Sequence, residues 1–305
     1  MESRFGHEPS SGARWEVHGP TEGTQVVEAW ADGHIPFEPK AAWQKDLRSE
    51  IRSRCRLLEP SAGEILDAAF FGPMPDRSDV ENLVLFNIDD SASSFEQAGR
   101  NGIRFSYGGA VPPSAPSGGS YLNCYRYAFT QRVRTLASFE HDWIDLGDFD
   151  GDKKLAQVWL ALAHGFKTGT VRIFPPRIGP DTEFAVKIEI RSPHGEKWVL
   201  GKLVKPIVDG VISAFHAHTD ATDLSEIVGR LANQLRADPV IIQDYLLDRR
   251  RAILGDVPRL VYLRGVGVQW NPSDHLCTVG ELSAAPADPI DDSWAIRGRI
   301  VEIKR

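Results

Sequence analysis

The sequence predicts a mixed α/β fold of α+β character, in which a mixed or antiparallel sheet carries packed helices. Three observations lead there. In TEFAVKIEIRS, residues 182–192, Phe184, Val186, Ile188 and Ile190 alternate with Lys187 and Glu189, the period-two pattern of a half-buried strand. In KAAWQKDLRSEIRSRCRLL, residues 40–58, Trp43, Leu47, Ile51 and Cys55 recur every fourth residue and form one helical stripe. The order of such segments never settles into the repeated βα units of a doubly wound sheet.

The elements follow in turn. Residues 1–24, rich in Gly, Ser, Glu, Thr and Pro without a period, read as a flexible arm. VVEAWADG (26–33) reads as a short strand, then the helix of 40–58, then a strand in EILDAAFFG (64–72). DVENLVLFNID (79–89) reads as a short helix, and IRFSYGG, YLNCYRYAF and RVRTLASF as strands. Asp152 opens a helix expected to end at Gly165, and TGTVRIFPP supplies a strand. WVLGKLV reads as a strand running into a helical segment through KPIVDGVISAFHAHTD, on which Lys205, Asp209, Ser213, His216 and Asp220 fall on one polar stripe. Asp223 and Glu226 have capping-box spacing, and Asp238-Pro239 opens another helix. Strands close the chain in RLVYLRGVGVQW, CTVGEL and WAIRGRIVEI. The expected division is an α/β half over 25–139 and a second over 140–305, packed together.

Composition excludes more than it selects. An apolar fraction of 42% with 25% charged residues rules out a disordered chain, a collagen and a coiled coil. A formal charge of −7 removes generic attraction to nucleic acid and leaves only a local basic face for that purpose. Cys55, Cys124 and Cys277 are odd in number and far apart, so reduced, buried thiols are expected rather than a disulfide framework. No apolar run is long enough to span a membrane, and the first residues lack a secretory pattern, so no membrane partner and a cytoplasmic location are expected. The oligomeric state is left open.

The chemistry-bearing residues are mostly carboxylates. On the polar stripe, the Asp209 carboxylate offers a hard oxygen donor suited to Mg2+ or Mn2+. Lys205 and His216 are the expected catalytic groups, and Lys40, Arg48 and Arg52 on the basic helix the expected phosphate contacts. Lys205-Pro206 with Asp209 resembles the K-P-D-x-D-N-L-x-K stretch of RusA-like Holliday-junction resolvases, with Ile207, Gly210 and Ser213 at its first Asp, its Asn and its Lys. Asp79-Val80-Glu81-Asn82-Leu83 resembles the D-x-D-N-L part, with Leu85 in place of the Lys. The resemblance implies Mg2+ or Mn2+ held by Asp79 and Glu81 and by Asp209, with Asp89 or Asp90 completing the first site, and its occurrence twice points to an internally duplicated α/β unit.

Other patterns compete. His216, His218, His275 and Cys277 form a set suited to zinc if the fold gathers them. The six acids Glu140, Asp142, Asp145, Asp148, Asp150 and Asp152 form a patch for a basic protein partner. Lys153 and Trp159 stand where an EF-hand loop requires Gly and Glu, and K-T-G at 167–169 lacks the rest of a phosphate loop. The leading expectation is metal-dependent phosphodiester hydrolysis on a nucleic acid or nucleotide; the alternative is a non-catalytic interaction protein using the 140–152 segment.

Overall fold

The computed structural model describes residues 13–75, 78–131, 139–147, 149, 154–173, 178, 182–196, 198–286 and 293–303. It is a mixed α/β fold, as the sequence predicts, without barrel or solenoid closure. The chain divides into two compact units: residues 1–134 with 199–202 and 278–283, and residues 135–198, 203–277 and 284–305.

The first unit is built on β1 (Trp15–His18), β2 (Val27–Ala31), β3 (Glu64–Phe71), β4 (Gly102–Gly109) and β5 (Asn123–Gln131), with β13 (Cys277–Ala284) returning from much later in the chain. Their order is β1-β2-β5-β3-β4-β13. Only the β3–β4 pair is parallel, so the sheet is mixed. A parallel pair requires a crossover, and residues 72–101 supply it, carrying the π-helical turn Asn82–Phe86 and the 3-10 turn Ser93–Phe95. The Asp79–Leu83 motif thus lies in the connection leaving the carboxyl end of β3.

Helix α1 (Ala42–Cys55) buries Leu47, Ile51 and Cys55 completely, three of the four residues of the predicted stripe, and leaves Trp43 half-buried. Each such side chain contributes roughly 1.5–3 kcal/mol on leaving water. Four large rings, Phe70, Phe95, Tyr125 and Tyr127, fill the core; Phe95 stacks on Tyr127 at 5.4 Å and Phe70 meets Tyr125 at 5.3 Å. Their polar tips are satisfied: the Tyr127 hydroxyl donates to the Val84 carbonyl (2.8 Å), and the Tyr125 oxygen accepts from the Ile35 amide (2.7 Å).

In the second unit β8 (Phe184–Arg191), β14 (Trp294–Glu302), β6 (Phe139–Gly147) and β7 (Val171–Ile173) pair antiparallel in that order. Phe184, Val186, Ile188 and Ile190 are buried and their neighbours half-buried, so the period-two reading holds residue by residue. Helices α2 (Lys154–Thr168), α3 (Gly201–Ala214), α4 (Leu224–Leu235) and α5 (Pro239–Leu247) accompany it, with the short pairs β9 (Ala217–His218) with β10 (Asp256–Val257) and β11 (Val261–Arg264) with β12 (Gly267–Trp270).

The structure departs from the sequence reading in several places. Residues 15–18, assigned to the arm, form β1 against β2, tied further by Arg14 to Asp32 at 3.0 Å. The WVLGKLV segment is not a strand: Leu203, Val204, Ile207, Val208, Val211 and Ile212 all sink into the interior at helical spacing, and α3 starts at Gly201. α2 does not stop at Gly165, which is buried against Val171 and Ile144; it stops before Gly169, whose φ of +84° suits a residue without Cβ. The Asp223–Glu226 capping box does not form, because Asp223 adopts a left-handed conformation and Glu226 pairs with Arg230 at 2.5 Å. The Asp238 cap does form, accepting from the Val240 amide at 2.8 Å. The two acidic motifs occupy different settings, a crossover turn and a 14-residue helix, and do not mark a repeated unit.

All three cysteines are free and buried. Burial pushes the Cys55 thiol well above its ordinary range and Cys124 up to about 12. Among the described residues no helix is long and apolar enough to cross a membrane.

Two glycines calibrate this packing. Gly280 of β13 faces Phe105 of β4, and an added Cβ would fall 2.0 Å from that ring, so Gly280→Ala is expected to cost about 1–3 kcal/mol in urea denaturation. Gly229 on α4 has open space at its Cβ, and Gly229→Ala is expected to raise stability by about 0.5–1 kcal/mol in the same assay.

Candidate metal site

Asp79-Val80-Glu81-Asn82-Leu83 folds into a tight helical turn because Val80 and Leu83 are drawn inside, each only 1% exposed. The turn closes when the Leu83 amide donates to the Asp79 carbonyl at 3.2 Å. It passes into the π turn, where Asn87 N–H donates to Asn82 O at 2.7 Å. The Asn82 side-chain amide donates to Asp79 Oδ2 at 2.7 Å and fixes that carboxylate's orientation. Carboxylate oxygens of Asp79 and Glu81 then lie within 4.8 Å of each other, with Asp79 half-buried and Glu81 buried. Oxygens this close match the scale set by metal–oxygen distances of about 2.1 Å for Mg2+ and about 2.4 Å for Ca2+. Acidic residues able to coordinate a metal ion are therefore present.

Three described carboxylates, Asp79, Glu81 and Asp274, qualify as ligands for a cation; Asp274 belongs to the second unit, half-buried at the start of the 3-10 turn Asp274–Leu276. No motif spacing in the sequence marks Asp274, which stands beside His275 in SDHLC.

Asp89 is not available as a ligand. Its two oxygens accept from the Ser94 amide (2.8 Å) and hydroxyl (2.7 Å), from the Ser91 hydroxyl (2.9 Å) and from the Ser93 hydroxyl (3.1 Å), with the Arg52 guanidinium 3.6 Å away. Burial alone would raise its pKa, but these donors overcome that and hold it well below the usual carboxylate range. The serine-rich run after Asp89 was the sequence signal for this self-capping loop. Asp90 stays exposed beside Arg48 and Arg52, at 4.0 and 3.8 Å.

The basic helix is also put to a different use. Arg48 and Arg52 both donate through Nε to the Ile88 carbonyl, at 2.8 and 2.5 Å, so these arginines fasten α1 to the crossover. Lys40, just before α1, is exposed.

In the second unit Lys205 and Asp209 share a face of α3 and pair at 3.2 Å. The stripe ends there and at Ser213, because α3 stops at Ala214 and His216 and Asp220 lie beyond it. Asp209 is buried at 5% exposure, and His216 is only 2% exposed, which withdraws it from any bulky substrate. His216 Nδ1 lies 3.1 Å from the Gly255 carbonyl, so it carries the hydrogen. Burial, assisted by Arg251, lowers the His216 pKa to about 4 against the favourable Gly255 contact. His218 uses both ring nitrogens, with Nε2 donating to the Asp220 carbonyl (2.7 Å) and Nδ1 accepting from the Val261 amide (3.4 Å), so it has no lone pair for zinc. Of the acidic segment 140–152, Asp148, Asp150 and Asp152 lie outside the described residues, and Asp145 is exposed on β6.

No protein-family model, curated protein or solved structure matches this chain. The resolvase resemblance therefore rests on the two short motifs alone.

Two stability tests follow from these environments. His216 has a folded pKa below its ordinary 6.5, so between the two values the unfolded chain takes up a proton that the folded chain refuses. Its contribution is complete above pH 6.5 and is lost as pH falls toward 4, on the order of 3 kcal/mol. Urea denaturation between these pH values is expected to show the decline, and His216→Leu to flatten part of it; His218, also lowered by burial, keeps the remainder. Asp89→Asn is expected to cost about 3 kcal/mol at pH 7 by setting an amide among hydroxyl donors and leaving Arg52 without its buried partner.

Proposed function

We propose that this protein is a divalent-metal-dependent phosphodiesterase acting on a nucleic acid or nucleotide, with Asp79 and Glu81 holding Mg2+ or Mn2+. The observation that carries this reading is the pair of carboxylates whose oxygens lie within 4.8 Å, one of them buried, in the crossover that follows a parallel strand. Crevices beyond the carboxyl ends of parallel strands are recurrent ligand positions. A hard cation there would lower the pKa of bound water and neutralise developing charge on a phosphoryl oxygen. The residues' own part is to orient that cation: Asn82 pins Asp79, and the inward pull of Val80 and Leu83 keeps both acids on one short turn. Lys40, exposed and unencumbered by the Ile88 contact that occupies Arg48 and Arg52, is the residue we assign to phosphate.

Calorimetric titration with Mn2+ tests the metal, and cleavage of single-stranded and branched DNA, RNA and a dinucleotide tests the chemistry. Asp79→Asn and Glu81→Gln are each expected to weaken Mn2+ binding about tenfold or more, about 1.4 kcal/mol, with a matching loss of cleavage and a near-native circular dichroism spectrum. Lys40→Ala is expected to weaken substrate binding while leaving Mn2+ affinity unchanged. A wild-type protein that binds no Mn2+ would remove the site. Mn2+ binding without cleavage of any substrate would favour the interaction reading.

A further inference from the structure

We propose that the second unit binds a small organic anion with an apolar body, in a cleft of about 420 Å³ between α2, the α4–α5 corner and the end of β6. The inference is independent of the Asp79–Glu81 reading. This volume falls in the range of small-molecule sites, and the lining has their usual make-up of an apolar floor with a few convergent polar groups. Leu146, Leu160, Leu235 and Ile241 supply the floor, and Ile241 is 40% exposed there.

The polar groups favour negative charge. Arg236 and His164 line the cleft together with Gln157 and Gln234. The lining's one carboxylate, Asp145, is engaged in an interaction of its own, and Arg236 sets a positive charge in the same lining against it. His164 Nδ1 lies 3.1 Å from the Tyr245 hydroxyl. Burial raises the Tyr245 pKa, so the phenol keeps its proton and can donate it to Nδ1. With the phenol as donor to Nδ1, the imidazole hydrogen sits on Nε2, where it can meet an incoming anion. Lys167 stands over the Tyr245 ring at 5.6 Å and adds positive charge.

The rim is built, not loose. Residues 236–238 alone connect α4 to α5. The amides of Arg236 and Ala237 both donate to the Ala232 carbonyl, and Asp238 caps Val240. Arg236 itself has φ 52° and ψ 44°, a left-handed conformation that a residue with a Cβ disfavours. Glycine would satisfy this corner more easily, so the arginine occupies it at some backbone cost, at a position that lines the cleft.

The test uses the full-length protein with 1-naphthoate, compared with its neutral isostere 1-naphthamide, followed by ligand NMR and calorimetry. Saturable one-to-one binding of the acid, at least tenfold tighter than the amide, is expected. Arg236→Gly is expected to weaken naphthoate about tenfold while leaving the melting temperature unchanged or higher, since it removes the charge and relieves the backbone together. Ile241→Asp, at an exposed position, is expected to abolish naphthoate binding in a folded protein. Asp79→Asn is expected to leave it untouched. Absence of saturable naphthoate binding up to about 1 mM would overturn the proposal. So would equal affinity for acid and amide, or undiminished binding in both the Arg236→Gly and Ile241→Asp proteins.

Discussion

The backbone oxygen of Ile88 receives two guanidinium groups one helical turn apart, from Arg48 at 2.8 Å and Arg52 at 2.5 Å. Two cations so close repel, and burial followed by the field of Arg52 lowers the Arg48 pKa. Asp89 and Asp90 answer that repulsion, Asp89 with a carboxylate whose remaining bonds are filled by its own loop. The knot ties α1 to the crossover between β3 and β4. The same crossover carries Asp79 and Glu81, whose own spacing is set within their turn by Asn82, Val80 and Leu83. Tyr127, through the Val84 carbonyl, and Asn87, through the Ile35 carbonyl (2.9 Å), fix the turn from its other sides.

Arg251 performs the equivalent task in the second unit. It is 1% exposed and donates to the carbonyls of Ala214 and Tyr245, the unpaired backbone ends of α3 and α5, and to His216 at 3.3 Å. Its charge lies 5.7 Å from the Trp159 ring of α2. Burial lowers its pKa to about 10, which still leaves it fully charged near neutrality. Three helices are thereby held by one cation that solvates carbonyls instead of pairing directly with an acid.

How much of this was legible varied with the kind of information each segment carries. β8 was readable because one side faces the interior and the other does not, so burial wrote itself into alternate residues. α1 was readable for the same reason at a different period. The start of α3 was not, because Trp198-Val-Leu resembles strand composition and only the tertiary burial of Leu203, Val204 and Ile207 decides the matter. The acid pair at Asp79 and Glu81 came from the resemblance of its five residues to a resolvase motif, a local pattern that needs only one compact turn to bring both carboxylates together. The engagements of Asp89, Arg48 and Arg52 were not legible, because residue type gives a charge but not whether a carbonyl or a neighbouring serine already holds it. His216 looked like a stripe residue only while the helix was assumed to continue past Ala214.

The buried cysteines give the molecule its own record of opening. Cys55 and Cys124 sit in the first unit and Cys277 at the start of β13, all shielded from solvent in the closed state. Thiolate is the reactive form, and burial keeps Cys55 and Cys124 protonated far above neutral pH. An alkylating reagent therefore reaches them only when the surrounding structure parts, and the order in which the three become labelled reads out which region breathes first, without any introduced probe.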